Sequence, residues 1–383
     1  MTRLNRTAFL ALCLLAAAAG VTATGTYDAD AKTYALTLRQ KCPPTPGQSE
    51  KQPFLIPVRM GLIDSHGQPV PLRLCEEDQG TSAPLERVLV VTETEQTFTF
   101  SQVESKPVPS LLRQFSAPVW LAVNEDDEAE LLHLLAHDSD AFNRWEAAQT
   151  LIMNQALAAL RLDAIPEQVL DAATIAALRS VLQNPALDAA FKALVLTLPS
   201  ETYMAEQLPV VDPQRIHAVR EAMREELALA LQADWETVWE QNQDTGGYRP
   251  DPVSSGRRAL SGLALHMLCI AAQKTGDVVW PGKAYQRFKV AGNMTDRFNA
   301  LTALVASGSE LAAPALARFH ALFKDEPLVI DKWFALQAGA PDRGGNVLPA
   351  VRQLMAHPDF SLKNPNRARS VIFSYCNANP GAF

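Results

Sequence analysis

Two histidines four residues apart, His133 and His137, are the nearest approach to a metal motif in this chain. On a helix they would share one face and could offer both imidazoles to one zinc ion. Hydrolytic zinc chemistry on such a pair also needs a Glu directly after the first His as general base, and that place is taken by Leu134. No third ligand stands at a recognisable spacing, so the pair reads as packing or helix-surface residues. The other five histidines stand isolated. No nucleophile elbow, phosphate-binding loop or Gly-x-Gly-x-x-Gly string occurs. Thr245-Gly246-Gly247-Tyr248 and Arg343-Gly344-Gly345-Asn346 are loop glycines with no strand running into them. The five cysteines are scattered, with no C-x-x-C pair, and read as ordinary thiols. These residues predict no catalytic group and no cofactor in this chain.

One stretch works against its local physics. Asn364-Pro365-Asn366-Arg367-Ala368-Arg369-Ser370 opens a helix, with Asn as cap and Pro at the first helical position. Arg367 and Arg369 then fall in the first turn and a half, where cations oppose the helix dipole. Such a basic start suits a carboxylate, either from an acidic side chain of a neighbouring helix or from a ligand. The residues alone favour the structural salt bridge.

The elements around these residues fall into two kinds. Between Tyr27 and Val123 apolar residues alternate: Tyr34, Leu36 and Leu38; Ile56, Val58, Met60 and Leu62; Phe98 and Phe100; Val119, Leu121 and Val123. A period of two marks half-buried strands, and turn chemistry at Asp64-Ser65-His66-Gly67 separates two of them. About seven short strands predict a small β-sandwich. From Asn124 the period becomes helical. Glu125, Asp126, Asp127 and Glu128 supply a first turn that suits the dipole, and Leu131, Leu132, Leu134 and Leu135 follow. Amphipathic stretches then run in series, among them Asp171 to Leu182, Pro213 to Gln232, Arg257 to Gln273 and Asn346 to Met355. No β-branched runs alternate with them, so an α-solenoid of stacked helical hairpins is expected rather than a parallel sheet. Trp145, Trp235, Trp239 and Trp333 lie in these stretches and read as helix-packing residues. A faint echo links Ala136-His137-Asp138 and Asn143-Arg144 with Ala356-His357-Pro358-Asp359 and Asn366-Arg367.

The chain has 383 residues, 48% apolar and 20% charged, so it can bury a sizeable core. Its 34 basic and 42 acidic residues give a net charge of −8, which argues against nucleic acid as a partner. Met1 to Gly20 has the layout of a secretory signal peptide: Arg3 and Arg6, an apolar run from Ala8, and small residues at Ala17-Ala18-Ala19. That run is too short to span a membrane, and Leu12 before Cys13 weakens a lipoprotein reading.

Several strings resemble the C-terminal half of the bacterial aminopeptidase N family, alanyl aminopeptidases of the gluzincin zinc-peptidase group. They are Gln48 to Pro53, Phe115 to Val119, Arg144 to Gln149, Asn293 to Asp296, Asp331 to Gln337, and Asn364 to Ser370. In order and spacing they span Val21 to Phe383. The resemblance implies an immunoglobulin-like β-domain over 21–123 and a helical superhelix over 124–383, after an N-terminal segment 1–20 that is signal-like or accidental. It implies a non-catalytic role: the wall of a chamber that admits peptides to an active site. Arg369 would face the substrate there, with Arg367 and Asn366 beside it. In that family zinc is held upstream by H-E-x-x-H and a distant Glu, with a Gly-Ala-Met-Glu-Asn loop for the substrate amine. None of these strings occurs here. The resemblance also implies further helices after Asn379-Pro380-Gly381-Ala382-Phe383, and a catalytic domain as partner, upstream or on a separate chain. Relatives are cytoplasmic, whereas a working signal would send the chain to the periplasm or outside. The alternative from another class is a stand-alone secreted β-plus-solenoid module that binds a protein or peptide on its concave face.

Overall fold

Alternating stretches give up one face to a core, and here they build two facing sheets. The computed structural model describes residues 19–77, 82–123, 127–243 and 246–382. Residues 1–18 of the signal-like segment, Cys13 among them, the acidic residues Glu125 and Asp126, Thr245 and Phe383 therefore lie outside the described residues. The strands are β1 (Gly20–Asp28), β2 (Thr33–Lys41), β3 (Ile56–Ile63), β4 (Pro69–Val70), β5 (Arg73–Leu74), β6 (Arg87–Val91), β7 (Glu95–Ser101), β8 (Val108–Ser110) and β9 (Trp120–Ala122). One sheet has the order β5-β7-β2-β1-β9; the other runs β4-β3-β6, with β8 also on β3. β1 and β2 are antiparallel with Tyr27 opposite Tyr34, and β9 lies parallel to β1 with Trp120 opposite Gly20. Leu36, Leu38, Val58, Met60, Leu89, Val91 and Phe100 fill the space between the sheets.

Two differences from the sequence reading have local causes. Nine strands form among the described residues where about seven were expected. β4 and β5 are two residues long, too short to show a period, and β1 (GVTATGTYD) buries only the small Val21 and Ala23. The sandwich also begins inside the segment assigned to the leader, because Ala19 is buried and Gly20 already pairs with Lys41.

The first compact unit runs past the sandwich to Leu151, and the second starts at Ile152. Side chains explain why α1 (Glu128–His137) stays with the strands. Lys106 Nζ donates to Glu130 at 2.9 Å, and Arg113 reaches Asp138 at 2.9 Å with both side chains buried. His137 packs over Gly67, whose φ of +78° suits the hairpin turn and whose missing Cβ leaves room for the imidazole. The helix starts three to four residues later than expected, capped by Asp127, which accepts from the Glu130 N–H at 3.3 Å.

α2 (Ala141–Arg161) follows. The second unit contains α3 (Ala172–Gln183), α4 (Ala189–Val195), α5 (Glu201–Glu206), α6 (Pro213–Ala230), α7 (Gln232–Gln241), α8 (Pro252–Thr275), α9 (Val279–Val290), α10 (Met294–Ala306), α11 (Ala312–Phe323), α12 (Pro327–Ala338), α13 (Val347–Met355), α14 (Pro365–Ala368) and α15 (Ser374–Ala378). Asp171, Asp188, Ser200, Asp212, Asp251 and Asn293 each cap a helix by accepting an N–H three residues on. α8 is the central rod, packed by α4, α6, α7, α9 and α10. Gly256 lets α4 approach it: a Cβ there would sit 2.8 Å from the Ala190 nitrogen. Trp235 is fully buried and donates to the Leu227 carbonyl at 3.1 Å; Trp333 does the same to Leu316 at 3.0 Å. Both are packing residues, as their helical setting suggested. No described helix is long and apolar enough to cross a membrane.

Candidate functional site

Asn364 accepts from the N–H groups of Asn366 and Arg367, and Pro365 takes the first helical position, so α14 opens as its sequence dictates. The helix lasts a single turn. A π-turn over Arg369–Phe373 then takes the chain into α15, and such turns recur at functional sites because they re-aim side chains. The two arginines meet different fates. Arg367 is buried, and all its nitrogens serve the protein: Nε donates to Asp331 Oδ1 at 2.5 Å, Nη1 to the Asp359 carbonyl and Nη2 to the Pro327 carbonyl at 3.3 Å. Its guanidinium also lies 5.0 Å over the Phe334 ring. This is the salt bridge the residues alone favoured. Each of the three nitrogens of Arg367 thus has a partner within the protein. Arg369 and Asn366 are exposed, and the Arg369 side chain makes no hydrogen bond or ion pair among the described residues.

A cleft of about 200 Å³ opens in the same unit, lined by α5, α6, α10, α12 and α15. His217, Arg220, Glu221 and Arg224 come from one stripe of α6. His217 Nδ1 meets Glu201 Oε1 at 2.8 Å, and that hydrogen bond raises the imidazole above its ordinary range. Arg220 donates to the Pro199 carbonyl at 2.8 Å. Arg224 bonds Glu221, yet its Nε is buried with no partner. Behind the stripe, burial first, then the charges of Arg224 and Arg220, hold His266 down at about 3, so this imidazole stays neutral. The cleft is lined by two guanidinium groups and two carboxylates. It has no nucleophile or general base arranged for hydrolysis.

The histidine pair of the first unit does not fit a catalytic zinc. The His133 and His137 rings stand 4.8 Å apart, but His133 Nε2 is buried without a partner and no acidic or thiol ligand joins the pair among the described residues. Burial, then the neighbouring His133, lowers the His137 imidazole, which suits a packing role. The expectation that the other histidines are isolated needs correction. His320 and His357 meet at 5.2 Å between ring centroids, with Asp359 between them. The helical hairpin of α11 and the loop after α13 bring together residues 37 apart in sequence, which no local pattern announces. The α6 stripe was in principle visible, since 217, 220, 221 and 224 lie at helical spacing, but a solvated helix face has the same signature.

Two family models match the chain, one over the strands and one over the helices. The first is described as a domain of unknown function (DUF3458) with an Ig-like fold, over residues 19–124; the second as a domain of unknown function (DUF3458_C) of ARM repeats, over residues 128–383. The chain is 36% identical over 373 residues to aminopeptidase N of Escherichia coli, covering 95% of this chain and 40% of the relative. It is 35% identical over 362 residues to aminopeptidase N of Haemophilus influenzae, covering 93% and 39%. A crystal structure of Legionella pneumophila aminopeptidase A in complex with aspartic acid superposes with a TM-score of 0.75 at 26% identity, over 94% of this chain and 40% of that one. The chain thus spans about 40% of the length of these relatives.

Proposed function

We propose a function from the premise that this chain belongs to the DUF3458 family, in its Ig-like and ARM-repeat parts alike. It is the non-catalytic C-terminal portion of a zinc-dependent aminopeptidase of the alanyl type, and it forms wall of the chamber through which peptides reach the active site. The observation that carries this reading is that the likeness to aminopeptidase N extends over 95% of this chain.

Zinc, held by the catalytic domain of such an enzyme, would polarise the scissile carbonyl. The residues of this chain bind and orient. Arg369 supplies an exposed cation to a peptide carbonyl or carboxylate, with Asn366 as a further donor beside it. Arg367 works at one remove, by anchoring the turn that presents Arg369. The catalytic domain is supplied upstream or on a separate chain.

The purified chain, offered an alanine anilide, should release no dye, because no nucleophile, general base and metal site converge among the described residues. Chelator-sensitive hydrolysis by the chain alone would overturn the reading. In an intact relative, replacing the residue aligned with Arg369 by Ala should lower kcat/KM about ten- to a hundredfold, the worth of one charge-assisted hydrogen bond of ~1.5–3 kcal/mol. Unchanged turnover there would remove Arg369 from the peptide path.

A further inference from the structure

His320, near the end of α11, and His357 and Asp359, in the loop after α13, bring two imidazoles and one carboxylate together. One ligand atom from each lies within 4.8 Å of the others. His320 Nε2 stands 2.6 Å from Asp359 Oδ2, and His357 Nδ1 stands 3.8 Å from that same oxygen. We propose that these three side chains form a divalent-metal site of the zinc class, separate from any catalytic zinc, that clamps α11 to the loop leading into α14. The proposal departs from the metal-free chain expected from sequence.

The donor set is the first reason. Two imidazoles and one carboxylate suit zinc and its neighbours rather than calcium or magnesium, which take oxygen ligands. Distances are the second. Zinc bonds to nitrogen and oxygen of about 2.0–2.2 Å place tetrahedral ligands roughly 3.3 Å apart. The observed 2.6 and 3.8 Å bracket that value, so a shift of the Asp359 carboxylate by about half an ångström toward His357 would equalise them. His357 Nδ1 accepts from the Asp359 N–H at 3.1 Å, so its lone pair already points toward the aspartate rather than into solvent. The metal would take over that lone pair and displace the His320–Asp359 hydrogen bond, each imidazole binding through a bare nitrogen. Access is the third. The His320, His357 and Asp359 side chains are 25%, 29% and 41% exposed, which lets a hydrated ion enter and leaves the fourth position to water.

Surroundings give the site a role. Trp333 lies 4.9 Å from the His320 ring and 5.3 Å from the His357 ring, and Phe334 packs edge-on against His357. These rings fix the imidazoles without taking their nitrogens. The Asp359 carbonyl accepts from Arg367, the anchor of α14. Metal bound to the Asp359 side chain and Arg367 bound to its main chain would hold the loop from both sides, and with it the turn that carries Arg369. The ligand set does not depend on the aminopeptidase reading, so the metal test and the activity tests can fail separately.

The test is titration of the purified full chain, stripped by chelator, with zinc chloride in a calorimeter. Wild type should bind one equivalent, and His320→Gln, His357→Gln and Asp359→Asn should each weaken binding by ~10-fold or more, as loss of a ligand or its support does. Each variant should keep the melting profile of the stripped wild type, since Gln and Asn retain hydrogen-bonding ability. Nickel should quench Trp333 fluorescence, and Trp333→Phe should abolish the quench while leaving nickel binding intact. Zinc should also slow tryptic cleavage after the exposed Lys363 in wild type but not in His320→Gln. Absence of binding, or binding that persists in all three ligand variants, would overturn the site. Bound zinc that leaves cleavage at Lys363 unchanged would overturn the clamp.

Discussion

Arg367 and Arg369 sit two residues apart in one basic helix start, yet the first is buried in an ion pair and the second is exposed, and a pair of alanine substitutions tests that difference. Arg367→Ala removes the partner of Asp331, whose carboxylate is only 14% exposed, and takes donors from the carbonyls of Asp359 and Pro327. Breaking a buried pair from one side typically costs about 3–5 kcal/mol, because the remaining charge stays desolvated. A unit of this size loses about 2–4 °C per kcal/mol, so the melting midpoint should fall by roughly 6–20 °C. Arg367→Lys should fall between, since an ammonium cannot fork across Asp331 and two carbonyls. Arg369→Ala removes an exposed side chain with no partner among the described residues and should shift the midpoint within the scatter of surface changes, about ±0.5 kcal/mol. Thermal melts followed by circular dichroism decide it. If Arg367→Ala melts with wild type, or Arg369→Ala melts many degrees below it, the division into anchor and presented cation is wrong.

Two further outcomes follow from geometry elsewhere. The His217 pKa is raised by Glu201, so the native state binds this proton more tightly than the unfolded chain; the added stability is full below about pH 6.5 and is lost as pH rises through the raised value. Glu201→Gln should flatten that part of the pH–stability curve, and an imidazole resonance titrating at or below 6.5 in wild type would contradict the assignment. Gly67→Ala should cost about 1–3 kcal/mol in denaturant unfolding, since the turn needs positive φ and a Cβ would sit 2.2 Å from His137 Nδ1; an unchanged midpoint would mean that α1 does not rest on that turn.

Much of the fold was readable in the chain because its causes are local. Tyr34, Leu36 and Leu38 alternate into the sandwich core, and Ile56, Val58, Met60 and Leu62 do the same from β3. Asp171 and Asn364 cap helices through bonds spanning two or three residues, so those starts are visible within one short window, whereas the helix capped by Asp251 begins five residues before the Arg257 read from its apolar period. The strings shared with the aminopeptidase N family pointed to the same two-part architecture that the family models match. Other features needed the folded chain. β9 returns to lie parallel to β1 across a hundred residues, and the first unit extends to Leu151 because Arg113, Lys106 and Gly67 find partners on α1. Which arginine is anchor and which is presented depends on Asp331, 36 residues from Arg367. The cluster of His320, His357 and Asp359 depends likewise on how α11 stacks beside the loop after α13. Periodicity and capping are set by neighbours along the backbone, and sequence records them directly. Encounters between side chains on different hairpins are set by how whole helices pack, and only the tertiary structure decides which of many similar histidines and arginines meet.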